Sequence, residues 1–343
     1  MLKGELLEVI ANGESSGVAF KRDNVRPEQL AKEIVALANF QGGRVLLGVE
    51  DDGTTSRLAT REQQARLFES GGLFHAESLP VSGSTFDDLD AARLAHYLVE
   101  VTGDPVAPES REEWERRLLG LGFLVERPDG PPACSIAGLV LFGRSPRRAL
   151  RHAGLRWMSF AGEDQEYQAQ DDAVLDGPLV ALLARQHRGG RAVVEGGLVE
   201  RLLDRMRPFI SDEGATIDEG LRRERTYRYP PEAVREAVLN ALVHRDWTRA
   251  VEVEVVNYAN RLEVIRPGPL HNSMTIEKML AGQRYARNLT IVEVMRDYGY
   301  VDARGMGVRR KIVPLTREYS GRDAGFELTD DHLRVTIPAR PQS

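Results

Sequence analysis

A single cysteine, Cys134, stands in the 343 residues. It excludes an intrachain disulfide and any cysteine-cluster zinc site. The seven histidines fall at no metal-ligand spacing. No stretch approaches ~20 consecutive apolar residues, so no membrane-spanning helix and no membrane partner are expected. The opening Met1-Leu-Lys-Gly-Glu-Leu-Leu7 lacks a signal-peptide core, and a cytoplasmic location is the expectation. Lysine is scarce, 5 residues against 41 arginines. Compositional bias is a simpler reading of that excess than selection for phosphate contacts. A net charge of −6 argues against a uniformly basic nucleic-acid binder but leaves room for a local basic groove. No Gly-x-x-x-x-Gly-Lys-Ser/Thr loop occurs, which excludes a P-loop motor.

What is present reads as ordinary globular chain, 42% hydrophobic and 29% charged. At about 100–200 residues per domain, two or three domains are expected. Leu2, Leu6, Leu7 and Ile10 mark a short helix ending near Asn12-Gly13. Val18 and Phe20 alternate with Ala19 and Lys21 as in a half-buried strand. Pro27 suits a helix first turn, Leu30, Ile34 and Leu37 form one stripe, and Gly42-Gly43 stop it. Val45 to Val49 reads as a buried strand closed by an Asp51-Asp52-Gly53 turn. A Pro-, Gly- and acid-rich zone at 80 to 90 looks like a boundary, followed by helices over 87 to 125. Strands are expected at Ala137–Phe142 and Leu155–Phe160, and helices at 173–187, 197–209 and 231–244. Strands at 251–257 and 261–265 follow, then helices near 275–281 and 288–298 and a strand at Val335–Ile337. Arg147, Arg148 and Arg151 read as a solvated face rather than as phosphate contacts.

The densest chemistry lies in residues 14 to 53. Glu14, position 19 and Asp51 are three corners at which carboxylates could converge on a hard divalent ion such as Mg²⁺ or Mn²⁺. Position 19, however, is alanine. Lys21 shares the strand face of position 19 and could hold a phosphate. Spacing alone leaves the alternative open that Asp-Asp-Gly is only a turn and that the Glu and Lys are solvated. The segments Glu14-Ser15 to Phe20-Lys21, Ala36-Leu-Ala38-Asn39-Phe-Gln-Gly42-Gly43 and Gly48-Val49-Glu50-Asp51-Asp52-Gly53 together resemble the Schlafen AlbA-like domain. The resemblance implies a nuclease with acids at Glu14, position 19 and Asp51. Two departures matter. Ala19 removes one ligand, and the otherwise intact motif reads as an inactivated one. After Gly53 the family continues through several more strands, whereas here Thr54-Thr55 runs straight into Ser56-Arg57-Leu58-Ala59-Thr60: either those strands are absent or a stretch between residues near 54 and 56 has been left out.

Glu236 and Asn240 lie four apart on the 231–244 helix, and His244 continues that face. The stretch Tyr229-Pro-Pro to Glu236, Asn240 and His244-Arg245-Asp246 resembles the divergent GHKL-like ATPase domain. Arg261-Leu-Glu263, Pro267-Gly268, Arg287-Asn288 and Gly305-Met-Gly307 extend the match. The resemblance implies a helical Glu that positions water and an Asn that holds Mg²⁺. Gly305 and Gly307 would bring backbone N–H groups to a phosphate, and ATP is the candidate cofactor. The wider class reads adenine through an Asp before a glycine turn, where this chain has Arg266-Pro267-Gly268.

The expected fold is α/β or α+β and multidomain. Residues 1–86 form an abbreviated AlbA-like mixed sheet with helices, 87–225 a connector of helices and strands, and 226–343 a GHKL-like α/β sandwich. The expected function is a Schlafen-like, metal-dependent endonuclease against RNA such as transfer RNA, or single-stranded DNA. Ala19 would make it inactive. A homo-oligomer would help enclose the substrate, and the family suggests antiphage defence. The alternative is a non-cleaving, nucleic-acid-binding transcriptional regulator whose GHKL-like domain senses a nucleotide.

Overall fold

Val18–Lys21 form β1, Pro27–Phe40 form α1 and Arg44–Leu47 form β2. The two strands pair in parallel, Ala19 opposite Val45 and Lys21 opposite Leu47, with α1 as the crossover. Leu30 and Leu37 are buried while Val35 and Ala36 are exposed, so the expected stripe is the packed face. This computed structural model describes residues 9–21, 27–40, 42–50, 75–185, 191–217, 223–270, 274–283, 285–301 and 306–341. The start of the expected N-terminal helix, the Asp51-Asp52-Gly53 turn and the stretch that follows it lie outside these residues. Residues 9 to 11 are helical.

Contacts divide the chain into two units, Met1–Ala76 and Glu77–Ser343. The second begins with a turn at Phe86–Asp88, then α2 (Ala91–His96), a π-helical turn (Tyr97–Val101) and α3 (Arg111–Gly120). The hairpin β3 (Leu124–Val125) and β4 (Ala133–Cys134) leads into α4 (Ile136–Phe142). Next come β5 (Leu155–Ser159), β6 (Asp171–Leu175), β7 (Leu182–Arg185), β8 (Arg191–Glu195), α5 (Leu198–Ile210), β9 (Ser211–Ile217) and β10 (Arg223–Tyr227). The rest is α6 (Pro231–Val243), β11 (Val253–Asn257), β12 (Arg261–Pro267), α7 (Ile276–Leu280), α8 (Leu289–Asp297), a π-helical turn (Val308–Ile312), α9 (Val313–Ser320), β13 (Gly325–Leu328) and β14 (His332–Pro338). The fold is thus mixed α+β. Residue 86 lies in the Phe86–Asp88 turn and residue 225 in β10.

The core of the second unit is a six-stranded sheet in the order β13-β14-β12-β11-β5-β6. Only the β5–β11 pair is parallel; the other neighbours are antiparallel. Trp157, Val255, Val264, Val335 and Phe326 stand in one cross-strand row and therefore on one face. Helices α5, α6 and α9 pack on the sheet, with Trp157 against Phe209 of α5. Met158, Phe160, Val256 and Tyr258 form a separate apolar cluster.

Two expected elements are corrected. Ala137–Phe142 is helix, not strand. Ser135 Oγ accepts the Gly138 N–H at 2.9 Å, and Leu139 N–H donates to the Ser135 carbonyl at 3.0 Å. All seven residues of α4 are buried, and a continuous apolar run carries no period to separate the two structures. The segment expected as helix 173–187 contains β6 and β7, with residues 186 and 187 outside the description. Arg156 and Trp157 of β5 bond to Asp172 and Asp171, which draws β6 onto the sheet. Gly177, at φ 136°, breaks the segment before Pro178. The hairpins β3–β4 and β9–β10, β8, α9 and β13 have no counterpart among the expected elements, and β3 lies inside the range expected as helices, 87–125.

Gly138 lets α4 lie directly on the backbone of Phe123: an added Cβ would sit 2.2 Å from the Phe123 carbonyl oxygen. Gly138→Ala should therefore lower the urea midpoint, costing about 1–3 kcal/mol. Gly120→Ala, where the added methyl meets nothing within 4 Å, is the control and should leave stability unchanged or slightly raised.

Candidate functional site

In the first unit Glu14 folds back onto β1. Its Oε1 accepts the Phe20 N–H at 2.5 Å and lies 3.8 Å from Lys21 Nζ. Lys21 Nζ also meets Glu33 of α1 at 3.2 Å. Ala19 is 7% exposed, two residues before Lys21 on the strand. The glycine pair explains how the corner closes. Gly42 takes φ 83° to end α1, and Gly43 passes so close to Gly17 that an added Cβ would lie 2.8 Å from the Gly17 carbonyl. Arg44 N–H then donates to that same carbonyl at 2.8 Å. Glu14, position 19 and Lys21 are therefore neighbours, as their spacing predicts. Asp51 lies outside the described residues. The methyl of Ala19 offers no donor, and Glu14 is already held by an N–H and an ammonium group. Among the described residues no three His, Cys, Asp or Glu side chains converge.

The second unit holds a cavity of about 380 Å³, in the size range of small-molecule pockets. Its floor is the sheet, through Val264, Leu333, Val335 and Phe326, and one wall is α6. Glu236, Asn240 and His244 recur every four residues along α6 and all reach the cavity. Asn240 Nδ2 donates to Glu236 Oε1 at 3.0 Å, and Lys311 Nζ stands 3.9 Å from Glu236 Oε2. Gly307 belongs to the same cluster, since an added Cβ there would overlap Glu236 Oε1 at 1.6 Å. Gly307 also opens the π-helical turn Val308–Ile312, which supplies more of the wall. Gly305 lies outside the described residues.

Other matched residues are structural. Asn288 is fully buried, and its Nδ2 donates to the Val243 and Arg245 carbonyls at 2.7 and 2.9 Å, tying the end of α6 to the start of α8. Glu77 accepts the Thr290 and Ile291 N–H groups at 2.9 and 3.0 Å, capping α8 from far along the chain. Arg147 pairs with Glu252, and Arg148 with Asp88. Arg261 pairs with Glu263.

Sequence reasoning missed the charged part of the cavity. Arg266 and Arg287, 8% and 6% exposed, both line it. Arg266 had been noted only for where an Asp is absent, and Arg287 only as part of a motif. The signal that could have found Arg266 is a charged residue directly after the apolar pair Val264-Ile265.

His244 is held neutral. Burial, with Arg266 and Arg287 beside it, pushes its pKa down to about 4 from 6.5. The unfolded chain takes up this proton near 6.5 and the folded chain only near 4. The folded state therefore keeps the contribution above 6.5 and loses it as pH falls through that window. The Tm of the protein should drop between pH 6.5 and 4, and His244→Gln should flatten the drop. Parallel melting curves of the two proteins across that range would check it.

Comparison with known proteins agrees with this layout. Residues 14–77 match the family described as "Schlafen, AlbA_2". Residues 250–337 match the family described as "Putative ATP-dependent DNA helicase recG C-terminal". No curated protein matches the chain. The crystal structure of the DIP2311 protein from Corynebacterium diphtheriae overlays with a TM-score of 0.49 at 20% identity, over 98% of this chain and 80% of that one. The chain thus joins a segment that matches the Schlafen AlbA_2 family to one that matches the RecG C-terminal, ATPase-like family, the two-part architecture that its motifs predict.

Proposed function

We propose that this protein acts on nucleic acid through its first unit, a Schlafen-type endonuclease lobe disarmed at position 19, and binds a nucleotide in its second. The observation that carries the reading is the corner at β1. Glu14, the small buried Ala19 and Lys21 share one edge of a parallel β-α-β unit, with an acid and a base already in contact. A glutamate at position 19 would add a second carboxylate beside Glu14, and Asp51 would be the third. That set suits Mg²⁺ or Mn²⁺, which would supply an activated water and steady the leaving oxygen. Lys21 would face a phosphate. The substrate class is RNA such as transfer RNA, or single-stranded DNA, and an assembly of several copies would enclose it better than one. In the second unit ATP is the first ligand to try, with Glu236, Asn240 and Gly307 around it. The RecG name does not bring motor activity with it, since the chain has no P-loop.

One observation favours a second reading, a non-cleaving binder. Lys21 bridges Glu14 and Glu33, so an ammonium group already stands between the two carboxylates. The two readings separate on Ala19→Glu. Both proteins are incubated with labelled transfer RNA and single-stranded DNA, with Mg²⁺ or Mn²⁺ varied and with or without ATP. Cleavage confined to the substituted protein, and lost in chelator, is the expected result. Binding by both proteins with cleavage by neither would discard the nuclease reading in favour of the binder.

A further inference from the structure

The cavity of the second unit carries a pair of cations that the Glu236–Asn240 cluster does not use. Arg266 Nη2 and Arg287 Nη2 both donate to one acceptor, the Pro269 carbonyl, at 3.2 and 3.3 Å. Two guanidinium groups are thus drawn to a single backbone oxygen in a buried wall. Asp246 is the nearby carboxylate, and its Oδ2 is shared: it lies 3.6 Å from Arg287 Nη1 and 3.5 Å from Arg249 Nε. Arg266 has no ion-pair partner among the described residues. Among the described residues its Nε is buried without a hydrogen-bond acceptor, and His244 Nδ1 is likewise unpartnered. Such groups are costly to bury and are normally satisfied.

The arrangement is held in place rather than accidental. Gly268, at φ 89°, brings the chain so near that an added Cβ would lie 2.4 Å from Asp246 Cβ and 2.9 Å from Arg287 Nη1. The rest of the cavity is largely apolar, with Met274, Met279, Val292, Ile312 and Phe326 around it.

We infer that Arg266 and Arg287 form an anion subsite that takes the phosphate or carboxylate head of a small organic anion, whose apolar body fills the remaining cavity. A guanidinium presents two parallel N–H donors that match the oxygens of either head. The Arg266 Nε–H is such a donor. Burial and the neighbouring Arg287 push the Arg266 pKa down to about 9, while Asp246 pulls the other way. This inference shares with the nucleotide reading only the premise that the cavity takes a ligand. Nothing in it requires an adenine or a triphosphate.

Paired ligands test it on the full chain, in a buffer free of phosphate and sulfate. AMP is compared with adenosine, and decyl phosphate and decanoate with decanol, by calorimetric titration. Within at least one set the charged member should bind at least about tenfold more tightly than its neutral counterpart. A preference for AMP over adenosine would identify a nucleotide phosphate as the occupant. A preference confined to the decyl ligands would sustain the anion subsite while removing the nucleotide reading. Arg266→Gln should erase the preference, and its ligand-free Tm should stay equal or rise, because a buried cation without an ion-pair partner has been removed. A purely structural Arg266 would instead show a lower ligand-free Tm and an unchanged preference. Equal affinity for charged and neutral members, or no binding of any of the five, would overturn the inference in the unsubstituted protein, whatever the variant does.

Discussion

The parallel pairing of Leu155–Ser159 with Val253–Asn257 is the constraint on which the second unit depends. It joins strands nearly a hundred residues apart and lies inside a sheet whose other pairings are antiparallel. A parallel pair cannot be closed by a tight turn, so the chain between the two strands must cross over. Here that crossover contains α5, α6 and two hairpins. The seam is tied by side chains as well as backbone. Asn257 Nδ2 donates to Ser159 Oγ at 2.9 Å, and Tyr229 donates its hydroxyl proton to Asn257 Oδ1 at 2.9 Å. A buried polar chain of this kind is stable only when every member is satisfied, which favours one register over its neighbours. Residues 77–225 and 226–343 are one packed body for this reason.

The cavity follows from the same seam. The cross-strand row that begins at Trp157 and Val255 continues through Val264 and Val335 to Phe326, so the face that seats α5 at one end becomes the cavity floor at the other. Helix α6 is fixed over that floor at both of its ends. Pro230 and Pro231 start it, and Asn288 binds carbonyls at its finish. That fixes the face bearing Glu236, Asn240 and His244 toward the sheet. Three groups of unlike demand then share one small volume: a hydrogen-bonded Glu–Asn pair, a histidine kept neutral and two buried arginines. Low-dielectric surroundings strengthen each interaction and raise the cost of each missing partner.

The first unit uses the opposite economy of means. Its corner is built from four-residue strands and one helix, and its charges are exposed enough for water to share them. Glu14 is nonetheless placed with care, because the Phe20 N–H holds its carboxylate on the strand edge. The methyl of Ala19 is buried beside that edge and carries no ligand atom.

Much of this was legible in the residues. The helix over 231–243 follows from Pro231 and the four-residue recurrence of Glu236, Asn240 and His244. The α1 helix follows from Pro27, its apolar stripe and Gly42-Gly43. Local rules suffice there because cap, period and stop signal agree. The Glu14–Lys21 corner was legible for a similar reason: six residues of a turn and a strand are enough to place both groups. Other features were not local. Ala137–Phe142 is apolar without period, and only Ser135 and the Phe123 backbone make it a helix. Residues 171–185 carry helix-compatible apolar spacing, and only the pairing of Asp171 and Asp172 with β5 makes part of it an edge strand. The charge of the cavity was the least visible of all. Arg266 and Arg287 are twenty-one positions apart, and no local rule makes them converge on the Pro269 carbonyl. The residues alone determine α1, α6 and the motifs, because cap, period and stop signals are local. The tertiary structure decided which charges are buried together, because burial depends on neighbours that only the folded sheet supplies.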